Sequence, residues 1–539
     1  MKSVALLHLY GLSGSGSCLY VRFLAEALAL EGLEVHLISA ERRPEDFPWI
    51  REAHVWQRGV RSRRQFTRAG APGCVAHCLS LDRYPVAYPR FEMQGLPTRR
   101  LVELTDAELQ AYLDDVEGIL TRLVTRAGVQ FLFVQHVLPL SLVAARLKRK
   151  LGIPYIVTVH GTMIEYAVNV QERFRRLALE GLREAGAVVA LNADGERRVS
   201  AIDPVLSDKL VRSAIGIPLD SWHPVPRAAR REHFQRLQEW HVPRIAKGMP
   251  EEARARIHEA VRGEWPPRRL LELLASIRSS YSPTSLDEEA CARLASVDWD
   301  SEPVVFFLGK HLIDKGIHCL LGAFPSVLDE FPRARLLIGG NGVFREGLEV
   351  FLSALGLGRL AWLERIAPHL AALDPGGVDL LPIVRSLAAL DALPEWAGAG
   401  LRDRVTFTGY LSREWLRRLL PLADVSAISS VIPEAQPLAA AEALAAGVPI
   451  VGPRMGGLTE LLDDVGREAP EFEGGLTYDP APERAVRGLG ERLRAVLRVG
   501  RDPRLGDELG LRLHRLALSR FDVRDVARRM IGLHGRITG

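Results

Sequence analysis

Two series of short, uninterrupted apolar runs, separated by amphipathic stretches, constrain this chain most. The first covers residues 4–9, 35–39, 131–134, 155–159 and 188–191, with helical periodicity over 17–30, 141–150 and 171–183. The second covers 304–308, 335–338, 405–408, 425–428 and 448–451, with a helix over 316–331 after its first run. A strand wetted on one side alternates apolar and polar residues; these runs do not, and so suit parallel sheets covered on both faces by crossover helices. The reading is α/β: two Rossmann-like, doubly wound domains facing a central cleft. From 224 to 300 the pattern changes to Arg- and Glu-rich helical stretches broken by Pro243, Pro250, Pro266, Pro267 and Pro283, with no apolar run, which reads as a helical insertion or linker. A second helical insertion, rich in Leu and Ala, spans 343–401.

Composition narrows the classes. A chain of 539 residues, 47% hydrophobic and 25% charged, has ample material for a core and is neither disordered nor collagenous. The charge balance of 70 basic and 66 acidic residues leaves +4, too little to argue for nucleic acid. Basic runs at 146–150 and 227–231 read as solvated helix faces or as a faint attraction to phosphates or an anionic membrane. Five scattered cysteines do not make a disulfide framework, and Cys74-Val-Ala-His77-Cys78 has no second ligand pair, so no zinc is assigned. The apolar start ends by Tyr10 in Gly and Ser, as a first strand does rather than a signal peptide, and nowhere do 18 apolar residues run unbroken. The expected location is cytoplasmic, with any membrane contact peripheral, at the inner face.

In doubly wound sheets, ligands sit beyond the carboxyl ends of the strands, which directs attention to the loops there. After the first run comes Gly11-Leu-Ser-Gly14-Ser-Gly16 and then a helix, a place for a phosphate, a sugar hydroxyl or only a tight turn. The third glycine of the dinucleotide fingerprint is replaced by Leu19, although Glu41 stands where a ribose carboxylate is tolerable. After 308 comes Gly309-Lys310-His-Leu-Ile-Asp-Lys315-Gly316 and a helix; two ammonium groups beside a positive helix terminus suit a pyrophosphate held without metal. Gly339-Gly-Asn341-Gly342 is another open turn. In Ser429-Ser-Val-Ile-Pro433-Glu434-Ala435-Gln436-Pro437-Leu438-Ala-Ala-Ala-Glu442, Pro437 suits a first helical turn and Gly447 a stop. Glu434 then lies in a loop, able to accept from sugar hydroxyls, and Glu442 on the helix behind it. His160, followed by Gly161 at a strand end, is a cleft candidate, and His136 a weaker one; His8 and His36 read as core.

Taken in order, these motifs resemble the retaining glycosyltransferases of family 4, which have the GT-B fold. The matching residues are Gly14 and Gly16; Thr158-Val-His160-Gly161; Gly309-Lys310 with Lys315-Gly316; Glu434 and Glu442 as the E-x7-E pair; Gly447-Val-Pro-Ile-Val451; Gly456-Gly457-Leu-Thr-Glu460; and Phe521-Asp-Val. The resemblance implies an acceptor domain over 1–223 with a helix over 519–539 packing back on it, the insertion or linker at 224–302, and a nucleotide-sugar domain over 303–518. It implies that Lys310 and Lys315 hold a donor diphosphate, Glu442 the ribose, and Glu434 with Ala435, Gln436, Pro437 and Leu438 the transferred sugar. His160 is implied to sit beside that sugar, and Tyr410 and Leu411 to border the base. Three departures stand out: Lys310 for the usual Arg, Gln436-Pro437 for Phe-Gly, and Ile215-Gly216 without the usual Asn.

The expected activity is retaining transfer of a hexosyl unit from a nucleotide diphosphate sugar, as co-substrate, to a hydroxyl of a glycolipid, polysaccharide or small molecule. Neither metal nor other cofactor is expected, and nucleic acid is not a partner. Rival readings are a two-domain NAD enzyme, a metal-dependent transferase using Asp298-Trp-Asp300, and a transferase-like scaffold without turnover.

Overall fold

The computed structural model describes residues 2–8, 10–57, 63–68, 70, 73–87, 97–240, 247–375, 377–388, 400–472, 474–500 and 502–538. Leu9, read above as the end of the first run, and residues 389–399 of the second insertion lie outside the described residues. By contact the chain forms two units. One comprises Met1–Leu219, Ala435–Leu438 and Arg520–Gly539; the other comprises Asp220–Glu434 and Ala439–Ser519.

The strands of the first unit are β1 (Ser3–Leu7), β2 (Glu34–Ser39), β3 (Ile50–Gln57), β4 (Arg63–Thr67), β5 (Cys74–Ser80), β6 (Tyr84–Val86), β7 (Thr98–Arg100), β8 (Phe131–Gln135), β9 (Tyr155–Val159), β10 (Ala187–Ala190) and β11 (Leu210–Arg212). Nine of them make one sheet in the order β11-β10-β9-β8-β1-β2-β5-β3-β4, with β6 and β7 paired separately. All neighbours are parallel except β3 and β4. Every residue of β1, β8 and β9 is buried, so both faces are covered and no alternation is needed. The winding runs outward from β1 through β2 and then outward again on the other side from β8, so the order reverses between β1 and β8. Helix Gly16–Leu30 starts at Ser15, whose Oγ accepts from the Cys18 N–H, and helix Asp106–Arg126 starts with a capping box between Thr105 and Glu108. At the C-terminus, helix Val523–Thr538 is tied to this unit through Ile217, which bonds to Phe521 O and accepts from Val523 N, and through an Arg528–Glu31 pair of 3.0 Å.

The second unit carries β12 (Val304–Leu308), β13 (Arg335–Gly339), β14 (Val405–Gly409), β15 (Val425–Ala427), β16 (Ile450–Pro453) and β17 (Thr477–Tyr478). These form one parallel sheet ordered β14-β13-β12-β15-β16-β17, which reverses between β12 and β15. Between 224 and 302 the described residues hold four α-helices and no strand: Arg230–Trp240, Glu251–Arg262, Pro267–Arg278 and Ala290–Ala295. This stretch is bonded to the sheet edge, for Asp287 N donates to Thr408 O at 2.9 Å and Tyr410 N to Ser285 O at 3.0 Å. It is also keyed to the second insertion by buried charge. Arg345 of helix Arg345–Gly356 is 2.7 Å from Asp287 and 2.9 Å from Glu349, and Arg254 is 2.9 Å from Glu349. Burial works against the Glu349 carboxylate, but the two guanidinium groups overcome it and hold its pKa at about 2.

The basic runs face acids. Arg146 lies 2.9 Å from Asp114, Arg149 3.0 Å from Glu180 and Lys150 3.6 Å from Glu117. Arg227 and Arg230 share Asp424, at 3.0 and 2.7 Å. Each run thus carries acidic partners beside it. No described helix is long and apolar enough to cross a membrane.

The first sheet buries several imidazoles. Burial lowers the His8 pKa to about 3, with His160 adding to the effect, and drives His77 and His136 well below the ordinary value. In the unfolded chain each titrates near 6.5, so as the pH falls through that value the unfolded state binds protons that the folded state refuses. Stability is therefore complete above about pH 7 and lost as the pH falls, His8 alone accounting for about 2 kcal/mol at pH 5. Denaturant midpoints measured from pH 7.5 to 5 should fall steadily; a flat or rising series would show that these rings are not held neutral.

Candidate functional site

Where the winding of a doubly wound sheet reverses, the loops leaving the two central strands diverge and open a crevice at their carboxyl ends. In the second unit those strands are β12 and β15, followed by the loops that contain Lys315 and Glu434. After β12 the chain passes Gly309 and the exposed Lys310, then a 3-10 turn Ile313–Lys315 whose first N–H is held by Asp374 Oδ2 at 2.7 Å. Gly316 follows with φ +63°, and a β-carbon there would lie 1.8 Å from the Ser429 carbonyl oxygen. Only glycine permits that approach. The two loops are stitched by Ser429 Oγ donating to Lys315 O at 2.9 Å and by Val431 N donating to Asp314 O at 2.9 Å.

This stitching sets Lys315 Nζ 2.8 Å from Glu434 Oε2. The other carboxylate oxygen accepts from Ser430 Oγ. Glu434 is braced from behind as well, since its carbonyl accepts from Gly457 N at 3.0 Å in the Gly456-Gly457 turn. Thus Lys315 and Glu434, 119 positions apart, form one polar group at the reversal point. Glu442 lies on helix Leu438–Ala445, 2% exposed, and its carboxylate is paired with Arg413, whose guanidinium stands 5.7 Å from the Trp222 ring centroid. Glu442 is thus a buried carboxylate with one oxygen already paired to Arg413.

The remaining candidates of this unit line the neighbouring strand ends. The Gly339–Gly342 turn lies against the Gly309 loop: Gly309 N donates to Gly339 O at 3.1 Å, and a β-carbon on Gly340 (φ +127°) would be 1.9 Å from Gly309 O. Asn341 Oδ1 accepts from Gly342 N at 2.6 Å. Tyr410 has an exposed ring but its N–H is already committed to Ser285, and Leu411 is buried over Gly339. The rival acids Asp298 and Asp300 engage Arg231, at 3.0 and 2.6 Å, and Asp298 also engages Arg333 at 3.1 Å. Among the described residues no cluster of His, Cys, Asp or Glu could hold a metal ion.

In the first unit the reversal lies between β1 and β8. Gly14, with φ +91°, and Gly16, the first residue of its helix, form the loop after β1. Glu41 closes that loop: its Oε2 accepts from Leu12 N at 2.8 Å and its Oε1 from Arg42 N and Arg43 N at 2.9 Å each. A carboxylate so engaged braces the turn and does not present itself to a ribose. At the ends of β1, β8 and β9 stand His8, His136 and His160, with His136–His160 centroids 4.7 Å apart and His8–His136 5.7 Å. His160 Nε2 lies 2.8 Å from Gln135 Oε1. Ala435–Leu438 group with this unit, where Asn192 Nδ2 donates to Ala435 O, Ile215 N donates to Gln436 Oε1 at 2.9 Å and a β-carbon on Gly161 would meet that of Ala435. Pro437 precedes the helix that begins at Leu438.

Three polar residues around these candidates escaped the sequence reading. Arg413 follows Ser412, a helix cap that the sequence does display, but its pairing with Glu442 joins positions 29 apart. Gln135 was visible as the polar end of an apolar run. Asn192 had no local signal, and His8, read as core, is buried.

Two parallel, doubly wound units, each with its polar residues at the reversal point, define the GT-B class. Residues 15–212 match the family model for the glycosyl transferase 4-like domain, and residues 381–486 that for glycosyl transferases group 1. Each unit is thus matched by a glycosyltransferase family model, of the 4-like type in the first and of group 1 in the second. It is 28% identical over 163 residues to an uncharacterized glycosyltransferase of Methanocaldococcus jannaschii, a match spanning 30% of this chain and 30% of that relative. In fold it is similar to sucrose-phosphate synthase from Thermosynechococcus elongatus, with TM-score 0.57, 18% identity and coverage of 100% and 99% of the two chains. It is also similar to Anabaena HepE solved with UDP and glucose, with TM-score 0.53, 12% identity and 99% coverage of each.

Removing one partner of a buried ion pair leaves the other charge without compensation. Arg413→Met should therefore cost about 3 kcal/mol or more, read as a lowered denaturation midpoint, and Arg413→Met with Glu442→Gln should recover part of it. Equal stability of Arg413→Met and the parent would show that Glu442 does not depend on this guanidinium.

Proposed function

We propose that the protein transfers a hexosyl unit, with retention of anomeric configuration, from a nucleotide diphosphate sugar to a hydroxyl of a glycolipid, polysaccharide or small molecule. The observation that carries this reading is the Lys315–Glu434 pair, set 2.8 Å apart where the second sheet reverses. An ammonium group there stabilises charge growing on a departing diphosphate, and Lys310 on the same loop adds a second positive charge. Glu434 already has both oxygens engaged, by Lys315 and Ser430, which favours holding a sugar over attacking it. Front-face attack, in which a leaving-group oxygen takes the acceptor proton, asks for no carboxylate pair astride the scissile bond. Glu442 is assigned to the ribose, Tyr410 and Leu411 to the base, and Asn341, Gly309, Gly14 and Gly16 to the loops about the donor. UDP and glucose in the Anabaena HepE structure support a sugar nucleotide as the co-substrate class. The NAD reading is disfavoured because Glu41 braces its own loop.

Purified protein screened by thermal shift against UDP-, GDP- and ADP-sugars should be stabilised by one of them. Hydrolysis of that donor should fall about a hundredfold in Lys315→Ala. A protein stabilised by none, or donor binding and turnover indifferent to Lys315→Ala and Glu442→Gln, would overturn the assignment.

A further inference from the structure

The reversal point of the first sheet carries an arrangement that the proposed chemistry has not used. His8, at the end of β1, and His136, just past β8, are each 1% exposed, and neither ring has a hydrogen-bonding partner among the described residues. His136 has φ +69°, a conformation that a non-glycine residue adopts at a cost and that surrounding packing must enforce. Its ring is thereby held between those of His8 and His160. His160, at the end of β9, is the residue of the three that is partly exposed.

The ring nitrogens of His160 are not equivalent. The structure turns Gln135 Oε1 toward the ring at 2.8 Å, and with an amide oxygen as its partner the ring carries its proton on Nε2. Nδ1 of a neutral ring is then unprotonated, with its lone pair available. Gln135 is fully buried at the last position of β8, so its amide has little freedom to release the ring. The groups facing His160 are His136 and His8 from the adjoining strand ends and Tyr20 from helix Gly16–Leu30, its ring centroid 5.4 Å away; Tyr20 in turn feels Arg529 on the C-terminal helix. Burial holds the His160 pKa at about 4, so protonation does not compete near neutral pH.

We propose that Gln135 is a positioning residue: by accepting the Nε2 proton of His160 it fixes Nδ1 as a neutral hydrogen-bond acceptor for a hydroxyl of the sugar. The inference rests on the reading of the protein as a sugar-nucleotide transferase. His160 then reads a hydroxyl rather than compensating a phosphate, because the cationic ring would have no lone pair to offer.

The test uses full-length protein labelled with 15N-histidine, with His160→Asn identifying the His160 signals. The expected spectrum shows the Nε2–H form, unchanged from pH 5.5 to 8.5. Gln135→Glu replaces the amide by a carboxylate that stabilises the imidazolium, so the ring should titrate near neutrality and hydrolysis of UDP-glucose, GDP-mannose or ADP-glucose should be lost at pH 6 and restored at pH 8.5. Gln135→Leu, which adds no charge, should lower kcat/KM about tenfold and blur the tautomer. An Nδ1–H signal in the parent protein, a parent titration near 6.5, or a Gln135→Glu profile that matches the parent would overturn the proposal. The expected spectra in a protein that binds none of these sugar nucleotides would uphold the placing of the His160 proton by Gln135 but overturn its role toward a sugar, together with the transferase reading.

Discussion

In the second unit a carbonyl oxygen occupies the space where any residue but glycine would place its β-carbon. The contact between Gly316 and Ser429 O lets the loop after β12 lie flat against the loop after β15, and the hydrogen bonds from Ser429 and Val431 close the seam. Two residues far apart in sequence thereby become neighbours. The sheet supplies the direction, since its reversal leaves room at these two strand ends, and the glycine supplies the distance. Helix Leu438–Ala445 and its buried Glu442 follow from the same geometry, being the crossover that must leave β15 immediately after the loop.

The first unit solves the same topological problem with different chemistry. Its reversal point is filled by imidazoles, one of them on a left-handed residue, instead of by a cation and a carboxylate. A charged pair strengthens as water is excluded but must be desolvated to get there, whereas buried neutral rings keep their shape at the expense of acid tolerance. The two halves thus differ in what they can offer a substrate: one offers charge, the other a set of fixed hydrogen-bonding directions.

Much of this organisation was legible because continuous apolar runs have one structural meaning in a parallel sheet. β1, β8, β9, β12 and β13 all fall where such runs occur. β3 did not show itself, since Ile50, Ala53 and Trp56 are buried among partly exposed Arg51, Glu52 and His54, a pattern that fits neither simple period. Lys315, Glu434 and Glu442 stood out by motif order and composition, but what each touches did not. Arg413 and Glu442, Gln135 and His160, and Lys315 and Glu434 are pairings across 29, 25 and 119 positions, and nothing local in a sequence encodes a distance in space. Glu41 shows the converse, since a residue type and spacing suited to a ribose turned out to brace its own turn.

The two inserted helical segments deserve to be considered as one. Asp287 belongs to the first of them and Arg345 to the second, while Arg254 of the first meets Glu349 of the second, all four buried. Neither segment can be trimmed alone without stranding a guanidinium or a carboxylate in an interior that no longer answers it. A shortened relative built on this framework would have to shed both together or exchange the four charges for apolar residues, so the pair behaves as a single heritable module that happens to be encoded in two places.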